Sequence, residues 1–331
     1  MNRTHGRIAG LCLLAILALI ALGILALGLG STWISPSRIL EGLYTHDRTI
    51  RLVVVNLRLP RILMAILVGA SLSVSGALLQ AVMRNPLADP GIIGVSAGAA
   101  TAATTIMLLA PILFSAVPLF AFGGALLACV LIYVMAWKNG VDPVRIVLSG
   151  VAINTVLGAY TSFLQLLNAD NLSNVLGFLN GSLSGRGWEQ VYTVAIYSSF
   201  GLLCGAACIK SANILQLGDE MASSLGVDVN RLRICISAVG AFLAAATVAV
   251  AGMIGFVGLV VPHIARILGG ADYRNLLPLA ALLGGIVLLA ADTVGRILIP
   301  GMEIPVGVIM AMTGGPFFLY MLRKGGKVRG N

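Results

Sequence analysis

RLPRILMAILVGASLSVSGALLQAVM, residues 58–83, opens on two guanidiniums and then runs 22 residues, 62–83, without a charge. A membrane's hydrocarbon core takes about 20 apolar residues of helix, so the stretch reads as a span. Its interior is dense in Gly, Ala and Ser, the small residues that let membrane helices pack closely. Arg58 and Arg61 are the difficulty: the charge count below puts them on the outer side, where positive charge is sparse.

The rest of the chain agrees with a membrane class. Of 331 residues 59% are hydrophobic and only 10% charged, whereas soluble domains carry roughly 25% charged residues. The pI near 9.7 comes from Lys and Arg dispersed along the chain with no basic stripe, which fits an orientation signal and speaks against nucleic acid. Cys12, Cys129, Cys204, Cys208 and Cys235 lie in or beside apolar runs without a CxxC or Cys/His cluster. They read as packing residues, with neither a metal site nor a disulfide framework. Residues 8–30 follow a positive start at Arg3 and Arg7, but the run has membrane length and lacks a clean small-residue cleavage site, so it reads as a retained first span.

Runs of span length number ten, at about 8–30, 59–82, 92–110, 115–137, 144–167, 190–209, 232–252, 254–269, 276–298 and 304–322. The expected fold is an all-α polytopic membrane protein, one transmembrane domain over 1–331. The eighth span, in GMIGFVGLVVPHIARILGG (252–270), is short and broken by Gly252, Gly255, Gly258 and Pro262. Irregular backbone in a membrane needs protein or a cavity around it, so this segment is expected inside the bundle. With both termini cytoplasmic, fourteen of the 21 Lys and Arg fall on the inner side, which the positive-inside rule favours.

The interlude SANILQLGDEMASSLGVDVNRLR (211–233) differs from the tight turns elsewhere. Asp219 to Leu225 spells a short helix, with Gly226 placed to end it in a left-handed cap. Such an elbow on the cytoplasmic face needs a partner. No G-x-x-x-x-G-K-[ST] occurs; GGK at 325–327 lacks the upstream glycine and the following hydroxyl, so an ATP-driven chain of this kind needs its ATPase on another polypeptide.

GVSAG (94–98) matches G-x-S-x-G in letters, but a nucleophile elbow joins a strand to a helix. Here the letters sit in a small-residue run, and Gly94 and Gly98 read better as a packing face. Asp292 and Arg296, four apart, share a helix face. They can form an internal ion pair, or Arg296 can stand exposed at the helix end. Arg58 and Arg61 can anchor on lipid phosphate. Alternatively, with Pro60 in a first helical turn, they sit against an unfavourable dipole for some other purpose.

RLPR, GASLSVSGALLQAVMRNPLADPGIIGVSAGA, LGDEMASSLGV, and AGMIGFVGLVVPHIARILGGADYRNLLPLAALLGGIVLLAADTVGR through EIPVGVIMAMTGGPFF resemble, in order, the FecCD permeases. These are membrane subunits of ABC importers for iron chelates, haem and cobalamin. Departures from the family pattern are Met253, where proline or alanine is frequent, Tyr273, where DHR is usual, and Phe178, where a tryptophan often stands.

The resemblance implies a permease that is not itself an enzyme, with ten spans, in a bacterial inner membrane. Its partners would be a second permease subunit, as a homodimer, two cytoplasmic ATP-binding cassette subunits and an extracytoplasmic substrate-binding protein, with membrane lipid around them. ATP and Mg belong to the ATPase, and this chain binds no cofactor or metal. Leu217, Gly218, Asp219, Ala222, Leu225 and Gly226 fall in the coupling helices, and Asn85, Leu87, Asn139 and Pro143 at a cytoplasmic gate. Arg58, Arg61 and Arg296 match arginines that dock glutamates of the binding protein. An iron chelate is the default cargo, with haem or cobalamin as alternatives. A secondary transporter would need more midplane ionisable residues than Asp292.

Overall fold

The computed structural model describes residues 2–30, 33–138, 140–169 and 172–325. Among them the chain is helical, with two isolated bridges and no strand. In order come α1 (Asn2–Gly28), α2 (Pro36–Tyr44), α3 (Arg48–Arg51), α4 (Leu59–Met83), α5 (Val95–Leu109), α6 (Val117–Ala136), α7 (Pro143–Leu167) and α8 (Ser173–Leu179). Then follow α9 (Trp188–Ala207), α10 (Ile209–Gln216), α11 (Asp219–Ser224), α12 (Val229–Ala251), α13 (Val257–Gly269), α14 (Tyr273–Ile297) and α15 (Val306–Gly325). Among the described residues, 7 helical stretches are long and apolar enough to cross a membrane. The shorter apolar helices α5, α13 and α15 lie where the sequence marks three further spans.

α4 is the axis of the bundle: its apolar window is 83% buried, against 6% for α1 on the rim. Four small residues of the opening stretch each face a different neighbour. A Cβ on Gly69 would overlap the Gly284 carbonyl of α14, and one on Gly76 would overlap the Gly258 carbonyl of α13. Ser71 Oγ donates to Ser198 Oγ of α9 at 2.8 Å, and Ser75 Oγ to the Gly240 carbonyl of α12 at 2.6 Å. In lipid the hydrophobic effect does not distinguish helix from tail, so close backbone approach and interhelical hydrogen bonds hold such a bundle. Gly69→Leu is therefore expected to destabilise the protein by at least the ~1–3 kcal/mol of ordinary overpacking. Gly123→Leu on α6, where an added Cβ meets open space, is the control. Comparable melting temperatures in detergent for the two variants would contradict this account.

The start of this span differs from expectation. Helix continues upstream of Leu59 to Arg48, a 36-residue stretch in all, through a π-helical segment, Leu52–Arg58, in which Leu59 N donates to the Val54 carbonyl. Proline supplies no N–H and crowds the carbonyl four residues back. The wide π turn just before Pro60 absorbs that misfit, so Pro60 does not mark the helix start. Arg58 and Arg61 thus lie inside the helical stretch, and the dipole argument made for them does not hold.

The broken span is where the sequence places it, with one adjustment. α12 stops at Ala251; Gly252 (φ 74°) and Phe256 (φ 67°) turn the chain into α13. Gly258 and Pro262 lie within α13, and most of its first turns are buried in the bundle. The break is bound by neighbouring backbone: Met253 N donates to the Phe178 carbonyl at 3.0 Å, Ser182 N to Ala251 at 2.8 Å and Gly307 N to Gly181 at 3.1 Å. A Cβ on Gly181 would strike the Met253 carbonyl, one on Gly252 the Phe178 carbonyl and one on Gly307 the Asn180 carbonyl. Two of the family departures meet here, Phe178 against Met253. Tyr273, the third, is fully buried and donates its hydroxyl to the Ala77 carbonyl at 2.8 Å.

Candidate functional site: two clusters at opposite ends of the bundle

α4 separates two polar clusters by its own length, roughly 35 Å at 1.5 Å per residue. At one end Arg58, Arg61 and Arg296 come together, each less than a tenth exposed. Arg61 donates Nε to both oxygens of Asp292 (3.1 and 3.0 Å), Nη2 to Oδ1 (3.0 Å) and Nη1 to Glu303 Oε2 (2.7 Å). Asp292, 1% exposed, also faces Arg296 Nε at 3.5 Å, so of the two arrangements open to the i, i+4 pair the buried ion pair is the one present. Arg58 Nη1 donates to the Leu27 and Gly28 carbonyls, the latter at 2.9 Å, and Arg296 Nη2 to Ala26 at 3.2 Å. A helix leaves its last carbonyls unpaired and its dipole favours a cation there. Two of the three arginines therefore also cap α1, which is otherwise scarcely buried.

Glu303 sits on the turn between α14 and α15. Partial burial pushes its carboxyl up, but hydrogen bonds from Arg61 and Ser184 outweigh that and hold it below the usual range. Glu303 and Ser184 are functional candidates that sequence reasoning passes over. Their partners are 242 and 119 residues away, and no local pattern announces such pairs.

At the other end the elbow forms as its letters foretell. α11 spans Asp219–Ser224; Gly226 N donates to Ser223 at 2.9 Å and Val227 N to Ala222 at 3.4 Å, with Gly226 at φ 76°. This is a Schellman closure that needs the left-handed residue. A Cβ on Gly226 meets open space, so the glycine is required here by its dihedral and not by crowding within the chain. Ala222 is fully buried, whereas Leu217, Met221 and Leu225 are each more than half exposed. Beside them lies a hollow of about 560 Å³ lined by Arg84, Leu217, Gly218, Asp219, Glu220, Met221 and Ser224.

Asp219 ties the elbow to both turns named as a gate. Its carboxylate accepts from Arg233 Nη2 at 2.8 and 3.1 Å and from Arg84 Nη1 at 3.4 Å. Arg84 is the left-handed cap of α4, next to Asn85, whose Oδ1 accepts from Leu87 N at 2.9 Å. Arg233, itself buried, donates Nη1 to the Val141 carbonyl at 2.8 Å, two residues before Pro143, the first residue of α7. Asn139 lies outside the described residues. Gly94 and Gly98 pack against α6, at Ile132 and Gly124 respectively, which fits the packing face read from GVSAG.

The chain as a whole is similar to known proteins. A profile of the FecCD transport family matches residues 17–324. The Fe(3+)-citrate import system permease protein YfmE of Bacillus subtilis is 41% identical over 318 residues, 94% of this chain and 95% of that one. The cobalamin import system permease protein BtuC of Halobacterium salinarum is 45% identical over 276 residues, 83% of this chain and 74% of that one. The hemin transport system permease protein HmuU of Yersinia pestis is 40% identical over 333 residues, 96% and 97%. Among solved structures, a metal-chelate type ABC transporter in an inward-facing conformation superposes with a TM-score of 0.82 at 31% identity, covering 96% of this chain and 99% of that one. With a match that begins in α1, ends in α15 and so takes in the arginine cluster, the broken span and the elbow, the chain belongs to the FecCD transport family.

Proposed function

We propose that the chain is the membrane-spanning permease subunit of an ATP-binding cassette importer and forms, with a second copy, the path for an iron chelate. The carrying observation is the elbow: apolar Leu217, Met221 and Leu225 stand out beside a hollow, on a helix wired through Asp219 to two interhelical turns, in a chain whose sequence holds no P-loop. An ATPase seated there would move the turns at Asn85, Leu87, Asn139 and Pro143, which close the cytoplasmic end of the path. ATP and Mg act on that ATPase, and no cofactor resides in the permease. In this reading ten helices cross a bacterial inner membrane as one domain, both termini are cytoplasmic, and the arginine cluster faces outward. Relatives named for iron citrate and hemin favour a chelated-iron cargo; the relative named for cobalamin, at 45% identity, keeps cobalamin as the second reading.

The test is reconstitution of the permease with its ATPase and binding protein in proteoliposomes, with ferric citrate, haem and cobalamin offered in turn. ATP-dependent uptake of one of them is expected. Hydrolysis of ATP by the purified permease alone would refute the division of labour.

Docking of a substrate-binding protein belongs to the arginine cluster. Three guanidiniums face two carboxylates, which leaves the cluster net positive, and the planar fork suits a carboxylate. Truncating one partner of a desolvated Arg–Glu contact costs on the order of 2–5 kcal/mol. Arg58→Glu is thus expected to weaken binding-protein affinity by about thirtyfold or more, and Glu→Arg on the binding protein to restore part of it. Because Arg58 also caps α1, that rescue is the decisive arm: loss of affinity without it would assign Arg58 to the cap alone.

A further inference from the structure

Arg61 holds two acids of different character. Asp292 takes the Nε and Nη2 side of the guanidinium in a fully buried pair, whereas Glu303 meets only Nη1, and its side chain is 40% exposed. The same Glu303 Oε2 also accepts from Ser184 Oγ at 2.8 Å. One oxygen of a partly exposed carboxylate therefore joins α4, the turn before α15, and the segment after α8. That segment is in turn bound to the broken span and to α15 through Ser182 and Gly181. A buried ion pair is hard to break because a bare charge is left behind. A partly exposed one exchanges readily, since water and other anions can serve each half.

We propose that Glu303 is an internal stand-in for a carboxylate of the docking partner, seated on Arg61 in the undocked permease and displaced when an acidic side chain of the binding protein takes its place. The inference rests on the docking role proposed above for the arginine cluster. A second carboxylate cannot join Glu303 on one Nη1 without like-charge repulsion at a few ångströms, so docking through Arg61 requires exchange. Exchange also breaks the tie to Ser184, which releases the segment after α8 from the turn before α15. Docking and loosening at this end of the bundle become one event.

The experiment compares the wild-type complex of permease and ATPase in nanodiscs with Glu303→Gln, Ser184→Ala and Arg58→Glu. Binding-protein affinity is measured for each across about 0.05 to 0.5 M salt. Glutamine keeps the size and an acceptor oxygen for Arg61 and Ser184, so the turn stays folded, and thermal unfolding of each variant checks that. Glu303→Gln is expected to tighten docking about tenfold at low salt and to steepen its salt dependence, because an ion pair is then gained on docking where the wild type only exchanges one. Ser184→Ala, which weakens the restraint without changing charge, is expected to tighten docking about two- to threefold. Unchanged or weaker docking by Glu303→Gln, with an unchanged salt slope, overturns the stand-in while leaving the docking reading intact if Arg58→Glu still weakens binding and a Glu→Arg change on the binding protein restores part of it. If Arg58→Glu and Glu303→Gln both leave affinity unmoved, the docking reading itself fails.

Discussion

Asp292→Ala is expected to destabilise the folded permease severely. Asp292 is 1% exposed and is the shared counter-ion of Arg61 and Arg296, both nearly as buried. Removing it leaves two guanidiniums in an apolar interior with one remaining acid, Glu303, at the edge. Breaking a buried pair from one side costs about 3–5 kcal/mol, a large part of the roughly 5–15 kcal/mol that holds a typical domain together. The damage would spread through α1, since Arg296 also supports the Ala26 carbonyl. Asp292→Asn keeps the shape and one acceptor and should fall between wild type and alanine. Membrane yield and the melting temperature in detergent check the order, and a wild-type melting temperature for Asp292→Ala would sink it.

Asp219→Ala is expected to cut import about five- to thirtyfold, the effect of losing one to two kcal/mol of coupling, while ATP hydrolysis by the assembled complex continues. Asp219 is the only residue of α11 tied to both interhelical turns in the hydrogen bonds described here, through Arg84 on one side and through Arg233 to Val141 on the other. Without it the elbow can still be gripped by a partner, but its movement no longer reaches Asn85 and Pro143. Arg233, left buried without its carboxylate, loses part of its own anchorage. Glu220→Ala removes the same charge one residue along, from an exposed position, and should be mild. Uptake by Asp219→Ala at the wild-type rate would show that coupling takes another route.

Much of this was open to reading because it depends on spacing along one helix or on a turn that only certain residues permit. The small residues of 58–83 announce a closely packed span, though not that it is the axis, and Gly226 announces the end of the elbow helix. The Gly/Pro run of 252–270 announces a buried break. What escapes is set by folding together of remote segments. That Arg58 caps α1 depends on carbonyls 30 and 31 residues upstream. Glu303 looks like an ordinary loop acid until Arg61 is beside it. Pro60 misleads for a different reason: a proline at the mouth of an apolar run reads as a first turn, and only a π turn ahead of it lets the helix run on.

The knot of backbone around residues 252–256 bears on how the chain is made. A ribosome delivers α8 and the break long before it delivers Gly307, yet Gly307 N is the donor to the Gly181 carbonyl and its bare Cα is what lets the three segments close. Until α15 arrives, non-helical backbone that lipid cannot solvate has to wait in the company of the membrane insertion machinery. α15 is therefore the keystone of assembly, and a nascent chain halted just after residue 297 is expected to remain a client of quality control.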